Sequence, residues 1–285
     1  MEINNIYTGD SLELLKKLPD NSVDLVITSP PYSNIKSYIN NNGIPSDKYV
    51  DWFIPYCLEI ERVIKDTGSF ILNINDKVND GFRDPYVFDL ISRLHKETGL
   101  KMYERLFWNK LKSLPNRYRF GDRVEYIFWF VKSKNFYIDL DQMRTPYSES
   151  SIKRMKKPLQ KRYSRDPEQK NKEYKSWSPN PKGALPTTLI NISSESKKIA
   201  DSHVAVYPVE LVDYFIKGST KPSDLVLDPF IGTGTTALSA AILGRNYLGF
   251  DIEQHYVDVA KDRISKNLSL LREEKINKVI KNDKR

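Results

Sequence analysis

Ser29-Pro30-Pro31-Tyr32 groups residues that can receive one kind of chemical group. The run Val23-Asp24-Leu25-Val26-Ile27 before it alternates and then turns fully apolar, as a buried strand does. Two prolines then fix φ near −65° and remove two backbone N–H donors, so the chain leaves the strand extended and cannot enter a helix. The Pro30 carbonyl has no local helical partner, and the Ser29 hydroxyl is a second acceptor beside it. Tyr32 adds a flat ring. Two acceptors and a stacking face suit a planar ring that carries an exocyclic NH2. A plain turn after a strand would use the same residues, so this stretch alone leaves both readings open.

A second constellation lies two hundred residues on. Val226-Leu227-Asp228-Pro229-Phe230-Ile231-Gly232-Thr233-Gly234-Thr235-Thr236 is a buried strand running into a glycine-rich turn. Helix formers follow from Ala237 to Leu243, and a short strand, Tyr247 to Phe250, closes on Asp251. This is a βαβ unit whose glycines let backbone approach a ligand and whose terminal acid can hold the two hydroxyls of a ribose. A nucleoside cofactor is expected. Dinucleotide oxidoreductases use such a turn too, but that class gives no task to Ser29-Pro30-Pro31-Tyr32.

Together the two motifs resemble the amino-methylating DNA methyltransferases. That family pairs an Asp/Ser/Asn-Pro-Pro-Tyr/Phe motif with an Asp-Pro-Phe-x-Gly-x-Gly-Thr-Thr motif, here Ser29 to Tyr32 and Asp228 to Thr236. The catalytic motif comes first, which is the order of the circularly permuted beta group, and Ser29 matches the cytosine-N4 branch. The resemblance implies S-adenosyl-L-methionine as cofactor and double-stranded DNA as substrate. It implies a catalytic set of Ser29, Pro30, Pro31 and Tyr32. It implies cofactor contacts from Asp10, Thr28, Asp228, Pro229, Phe230, Gly232, Gly234, Thr235, Thr236, Asp251 and Ile252. A restriction endonuclease sharing the same site is an implied partner, with the chain a monomer or a homodimer. Adenine-N6 methylation stays open as the rival reaction. A nucleic-acid binder without activity is the rival class.

Elimination narrows the chemistry further. Methylation at cytosine carbon 5 needs a cysteine nucleophile. Cys57 is the single cysteine, and it sits among apolar residues of an expected helix as a core residue would. Transfer to an exocyclic amine needs no such nucleophile. One cysteine also excludes an intramolecular disulfide.

The elements that must carry these motifs follow from periodicity. Strands are expected at Ile3–Tyr7, 23–27, Ser69–Ile74, Leu106–Trp108, Tyr126–Val131, 226–228 and 247–250. The run Tyr126–Val131 is apolar throughout and should be internal. Helices are expected from Asp10 or Ser11 to Leu18, at Tyr49–Ile64, Asp84–Lys96, Val209–Lys217 and Tyr256–Leu271, with the charged tail from Arg272 fraying. Asp10 is a good N-cap for the first helix as well as an expected cofactor neighbour. The fold class is α/β: a doubly wound Rossmann-like methyltransferase sheet with permuted motif order and a basic target-recognition insertion. The expected division is residues 1–139 as the catalytic half, 140–200 as the insertion and 201–285 as the cofactor half. The Asn-rich loop Ser33 to Ser46 reads either as a lid beside the site or as a disordered loop without function. His203 reads as a structural hydrogen-bonder.

Charge placement supports the substrate class. Residues 151–182 hold eleven Lys or Arg and three acids, a surplus equal to the whole chain's +8. Tyr163, Tyr174 and Trp177 are interleaved with them. Cations hold phosphates and flat rings stack on bases, so this stretch reads as the polyanion contact, a solvated charged loop being the alternative. No run of 18 apolar residues exists to cross a membrane, and the N-terminus lacks a basic-then-apolar leader. A cytoplasmic location is expected.

Overall fold

Strands that are apolar at odd and even positions alike must be covered on both faces, and that requirement shapes this fold. The computed structural model describes residues 1–33, 43–111, 117–155, 179–194 and 207–282, with side chains up to residue 270. Along the chain come β1 (Asn5–Thr8), α1 (Ser11–Leu15), β2 (Val23–Thr28), α2 (Ser46–Val63) and β3 (Ile64–Ile74). A short hairpin of β4 (Val78–Asn79) and β5 (Phe82–Arg83) precedes α3 (Tyr86–Glu97), β6 (Lys101–Asn109) and β7 (Val124–Val131). A 3-10 turn (Leu140–Met143), α4 (Glu149–Met155) and β8 (Leu189–Asn191) follow. The chain closes with α5 (Val209–Ser219), β9 (Leu225–Asp228), α6 (Thr235–Ile242), β10 (Asn246–Asp251) and α7 (Gln254–Asn282).

Eight of these strands form one sheet in the order β1-β10-β9-β2-β3-β7-β6-β8. Every neighbouring pair is parallel except β3/β7 and β7/β6, so β7 alone runs against the rest. The doubly wound class expected from the sequence is the observed one. Successive residues of β2 and β3 point to opposite faces, as a strand's period of two demands. Val26, Phe70 and Leu72 pack with α1, α2 and α3, while Leu25, Ile27 and Ile71 pack with α5. Beyond them, Ile6 of β1 is covered by α6 and α7.

The winding creates a switch point. From β2 the chain crosses to β3 on one side, and from β9 it crosses to β10 on the other. A crevice therefore opens at the carboxyl ends of β2 and β9, where α/β sheets bind ligands. Because β1, β10, β9, β2 and β3 are parallel, their carboxyl ends all lie along this edge. Since β7 is reversed, its first residues lie there too.

Expected and observed elements differ mostly at their ends. Three differences are larger, one being that β6 begins at Lys101 instead of at Leu106. β3 begins at Ile64, directly where α2 stops, instead of at Ser69. The C-terminal helix continues past Arg272 to Asn282 instead of fraying, since the tail has neither proline nor glycine to stop it. Within the span 140–200, β8 extends the main sheet beside β6, and Met143, Ile190 and Ile192 are buried in the core. Residues 34–42 of the Asn-rich loop, residues 156–178 of the basic run and His203 lie outside the described residues.

Candidate active site

Thr28 ends β2 and Asp228 ends β9, and these neighbouring strands bring the two motifs together. The Thr28 hydroxyl donates to Asp228 Oδ1 at 2.6 Å. The Thr236 hydroxyl (2.6 Å) and the Tyr207 phenol (2.8 Å) donate to Oδ2, and the Phe230 N–H donates to Oδ1 at 3.0 Å. Four protein donors thus fill a fully buried carboxylate, as burial of such a group requires. Burial pushes the Asp228 carboxyl above its ordinary pKa, and these hydrogen bonds pull the other way. Asp228 shapes the turn and has no spare acceptor facing the crevice.

The turn itself leaves room. Gly232 has φ +49°, and nothing stands within 4 Å of where a Cβ would be. Its N–H donates to Asp251 Oδ2 at 3.0 Å, while Oδ1 accepts from Glu253 N–H at 2.9 Å. Each Asp251 oxygen therefore keeps a lone pair for a hydroxyl. Burial raises the Asp251 pKa. Gly234 answers a different need: at φ +83°, a Cβ there would meet the Ala260 Cβ at 2.7 Å, so glycine permits α6 and α7 to close. The half-buried Phe230 ring lies 5.2 Å from Tyr56 and 5.8 Å from Trp52, giving the crevice an aromatic wall from α2. Asp10 caps α1 by accepting from Glu13 N–H, and the neighbouring Gly9 N–H donates to the Asp251 carbonyl, so Asp10 stands beside the same crevice. Ser11 fastens it by donating to the Pro229 carbonyl. An exposed acid, a half-open glycine turn and a carboxylate with spare lone pairs fit the ribose and adenine of a nucleoside.

Beyond Thr28 the chain holds its two acceptors differently. The Pro31 carbonyl is taken by the Tyr49 phenol at 2.8 Å. Among the described residues no donor reaches the Pro30 carbonyl. Ser29 donates its hydroxyl hydrogen to the Tyr32 oxygen at 3.3 Å, and Tyr32 donates to Glu125 Oε2 at 2.9 Å. Lys110 closes the series at 3.1 Å from Glu125 Oε1, and Asn73 donates to Oε2 at 3.2 Å. Burial, and next the Glu125 charge, push the Tyr32 phenol well above its ordinary pKa, so it remains a donor. With its hydrogen turned toward Tyr32, the Ser29 oxygen is left to accept.

Residues 23–262 match the family model of the N6/N4 DNA methylases. The chain belongs to that DNA methylase family. It is 33% identical over 263 residues to the Type II methyltransferase M.BglII of Bacillus subtilis, covering 92% of this chain and 69% of that one. It is 31% identical over 299 residues to the Type II methyltransferase M.PvuII of Proteus hauseri, covering 96% and 87%. Among solved structures it is similar to the PvuII DNA methyltransferase (cytosine-N4-specific), with a TM-score of 0.69, 25% identity, and coverage of 92% and 89%.

In this DNA methylase most of the expected residues gather at one edge, but with different tasks. Gly232, Asp251, Phe230 and Asp10 line the crevice. Thr235 and Thr236 turn inward, the first accepting from Arg263 and the second donating to Asp228. Pro229 is buried and Ile252 is half exposed at the rim. Four residues drew no site role from the sequence: Tyr207, Asn73, Glu125 and Lys110. Glu125 lies near the start of β7 and Lys110 just past the end of its neighbour β6, and the direction of β7 is what turns Glu125 to Tyr32. Cys57 is fully buried in α2 and burial pushes its thiol up, so it is no nucleophile.

Proposed function

We propose that this DNA methylase transfers a methyl group from S-adenosyl-L-methionine to the N4 amine of a cytosine turned out of duplex DNA. The observation that carries this is the Pro30 carbonyl, which no donor among the described residues reaches, beside a Ser29 oxygen whose hydrogen is committed to Tyr32. An exocyclic amine has two hydrogens to give, and here are two acceptors without donors of their own. Asp10, Phe230, Gly232 and Asp251 would hold the nucleoside part of S-adenosyl-L-methionine, which supplies an electrophilic methyl group when bound.

The chain's own task is to make the amine reactive. Its lone pair is delocalised into the ring. Accepting both hydrogens at Pro30 and Ser29 favours a pyramidal nitrogen whose lone pair can attack. Preorganised contacts of this kind are worth roughly 10²–10³ in rate where measured in other enzymes. The nitrogen must then lose a proton, and Ser29, Tyr32 and Glu125 form a hydroxyl series leading away from it. Ser29 in place of an acid, and the cytosine-N4-specific PvuII relative, favour cytosine over adenine.

Flipping the base costs a few kcal/mol, which phosphate contacts offset. We assign that task to the basic run of residues 151–182, within the 140–200 segment read as target recognition. Host protection beside a restriction endonuclease, in the cytoplasm, is the corresponding biological role. The test is transfer of radiolabelled methyl from S-adenosyl-L-methionine to mixed-sequence duplex DNA by the purified chain. Incorporation supports the reading, and label found in RNA but never in DNA refutes it.

A further inference from the structure

We infer that two turns beside the base pocket, apart in sequence from the basic run, form a DNA-contacting surface whose Phe120 ring stacks into the duplex where the target base has left. The inference rests on the proposed methylation of a flipped base and adds the element that stabilises the flipped state.

The first turn is the β4–β5 hairpin, and the second is residues 117–123 leading into β7. They are tied together. Arg83 pairs with the buried Asp76 and lies 3.5 Å from Asp122, while Arg119 donates to the Gly81 carbonyl. A cavity of about 600 Å³ lies between them, lined by Arg83, Arg117, Tyr118, Arg119 and Phe120. Among the described residues three guanidiniums and two rings line it, the Arg83 guanidinium being held by Asp76. Phe120 is 101% exposed, Tyr118 85% and Phe82 79%, so none of these rings serves the core. Contiguous exposed apolar surface marks an interaction site.

Position decides the partner. Phe120 precedes Glu125 by five residues, and Asp76 follows Asn73 by three. Glu125 and Asn73 both bond at the Tyr32 hydroxyl. The turns therefore stand at the mouth of the pocket that takes the target amine. A polyanion with flat bases matches this surface: guanidiniums pair with phosphates, and a phenyl face stacks on a base. Flipping leaves a gap in the stack, and apolar side chains are known to wedge into such steps.

The test uses a duplex carrying the site that the wild-type enzyme methylates, with the target cytosine opposite either guanine or an abasic position. An abasic partner removes the pairing cost of flipping. Phe120→Ala is expected to slow methylation of the paired duplex on the order of tenfold, yet stay within about twofold of wild type on the abasic one. Phe120→Trp, which keeps a stacking face, is expected to retain the paired-duplex rate. Equal rates for Phe120→Ala and wild type on paired DNA would overturn the inference, as would the same slowing on both duplexes. A wild type that methylates no duplex DNA, so that no such site can be found, defeats the function proposed above together with this inference. A wild type that methylates both, matched by Phe120→Ala, defeats this inference alone.

Discussion

The Thr28 hydroxyl donates to the Asp228 carboxylate at 2.6 Å, joining the catalytic motif to the cofactor motif across two hundred residues of sequence. Each residue ends a strand, and the strands are neighbours at the switch point of the sheet. The bond sets the distance between the amine acceptors, which follow Thr28, and the glycine turn, which follows Asp228. The permuted order of the motifs has little consequence for this geometry, because the sheet restores their adjacency.

Thr28→Val should therefore disturb both halves. It keeps shape but leaves Asp228 one donor short in a buried place, a loss of about 2 kcal/mol in stability. Urea unfolding should show a lower midpoint with an unchanged slope. Asp228→Asn should cost more, since its amide would turn two hydrogens toward hydroxyl or N–H donors already aimed at that position.

Ser29→Ala removes one of the two amine acceptors and nothing from the crevice. Turnover should fall on the order of 10²-fold while cofactor affinity, read by calorimetry, changes little. A rate close to wild type would remove Ser29 from the mechanism.

Glu125→Gln tests the hydroxyl series. The carboxylate accepts from Tyr32, Lys110 and Asn73 at once. A carboxamide can accept on one side only, so either Lys110 loses its acceptor or Tyr32 and Asn73 lose theirs together. We expect kcat to drop while the melting temperature falls by only a few degrees, as about 1–2 kcal/mol would give. Equal kcat in the two enzymes would show that Glu125 only supports the fold.

The first half of the site was legible because each motif is contiguous. A strand running into Pro-Pro, or into Gly-x-Gly, can be read with no partner in view. Period-two burial in β2 and β3 was legible for the same reason. Glu125 was harder. Its place at the site depends on β7 running against its neighbours, and direction is a property of the sheet and not of any one strand. Tyr207 was missed similarly: its partners Asp228 and Thr236 lie 21 and 29 residues away and meet it only after α5 has crossed back. The inward turn of Thr236 also follows from that triad, since a buried carboxylate draws every nearby hydroxyl. β8 is only three residues long, too short to show a period.

Cofactor binding should depend on pH through Asp251. Its carboxyl is raised by burial, and it accepts hydroxyls best as the carboxylate. Affinity should be level at neutral pH. On acidification it should begin to fall earlier than an ordinary carboxylate would allow, as the raised group takes its proton. Asp251→Asn should bind more weakly throughout and lose this acid limb in equilibrium binding of S-adenosyl-L-methionine. An identical pH profile in both proteins would exclude Asp251 as the titrating contact.

The central claim concerns one atom. Duplex DNA treated with the enzyme and S-adenosyl-L-methionine can be digested to nucleosides and separated by mass spectrometry. Appearance of N4-methylcytidine as the deoxynucleoside is the predicted result. N6-methyladenine in its place would contradict the choice of base while sparing the amine chemistry. A 5-methylcytosine product would contradict the account itself, because the only cysteine is fully buried within α2.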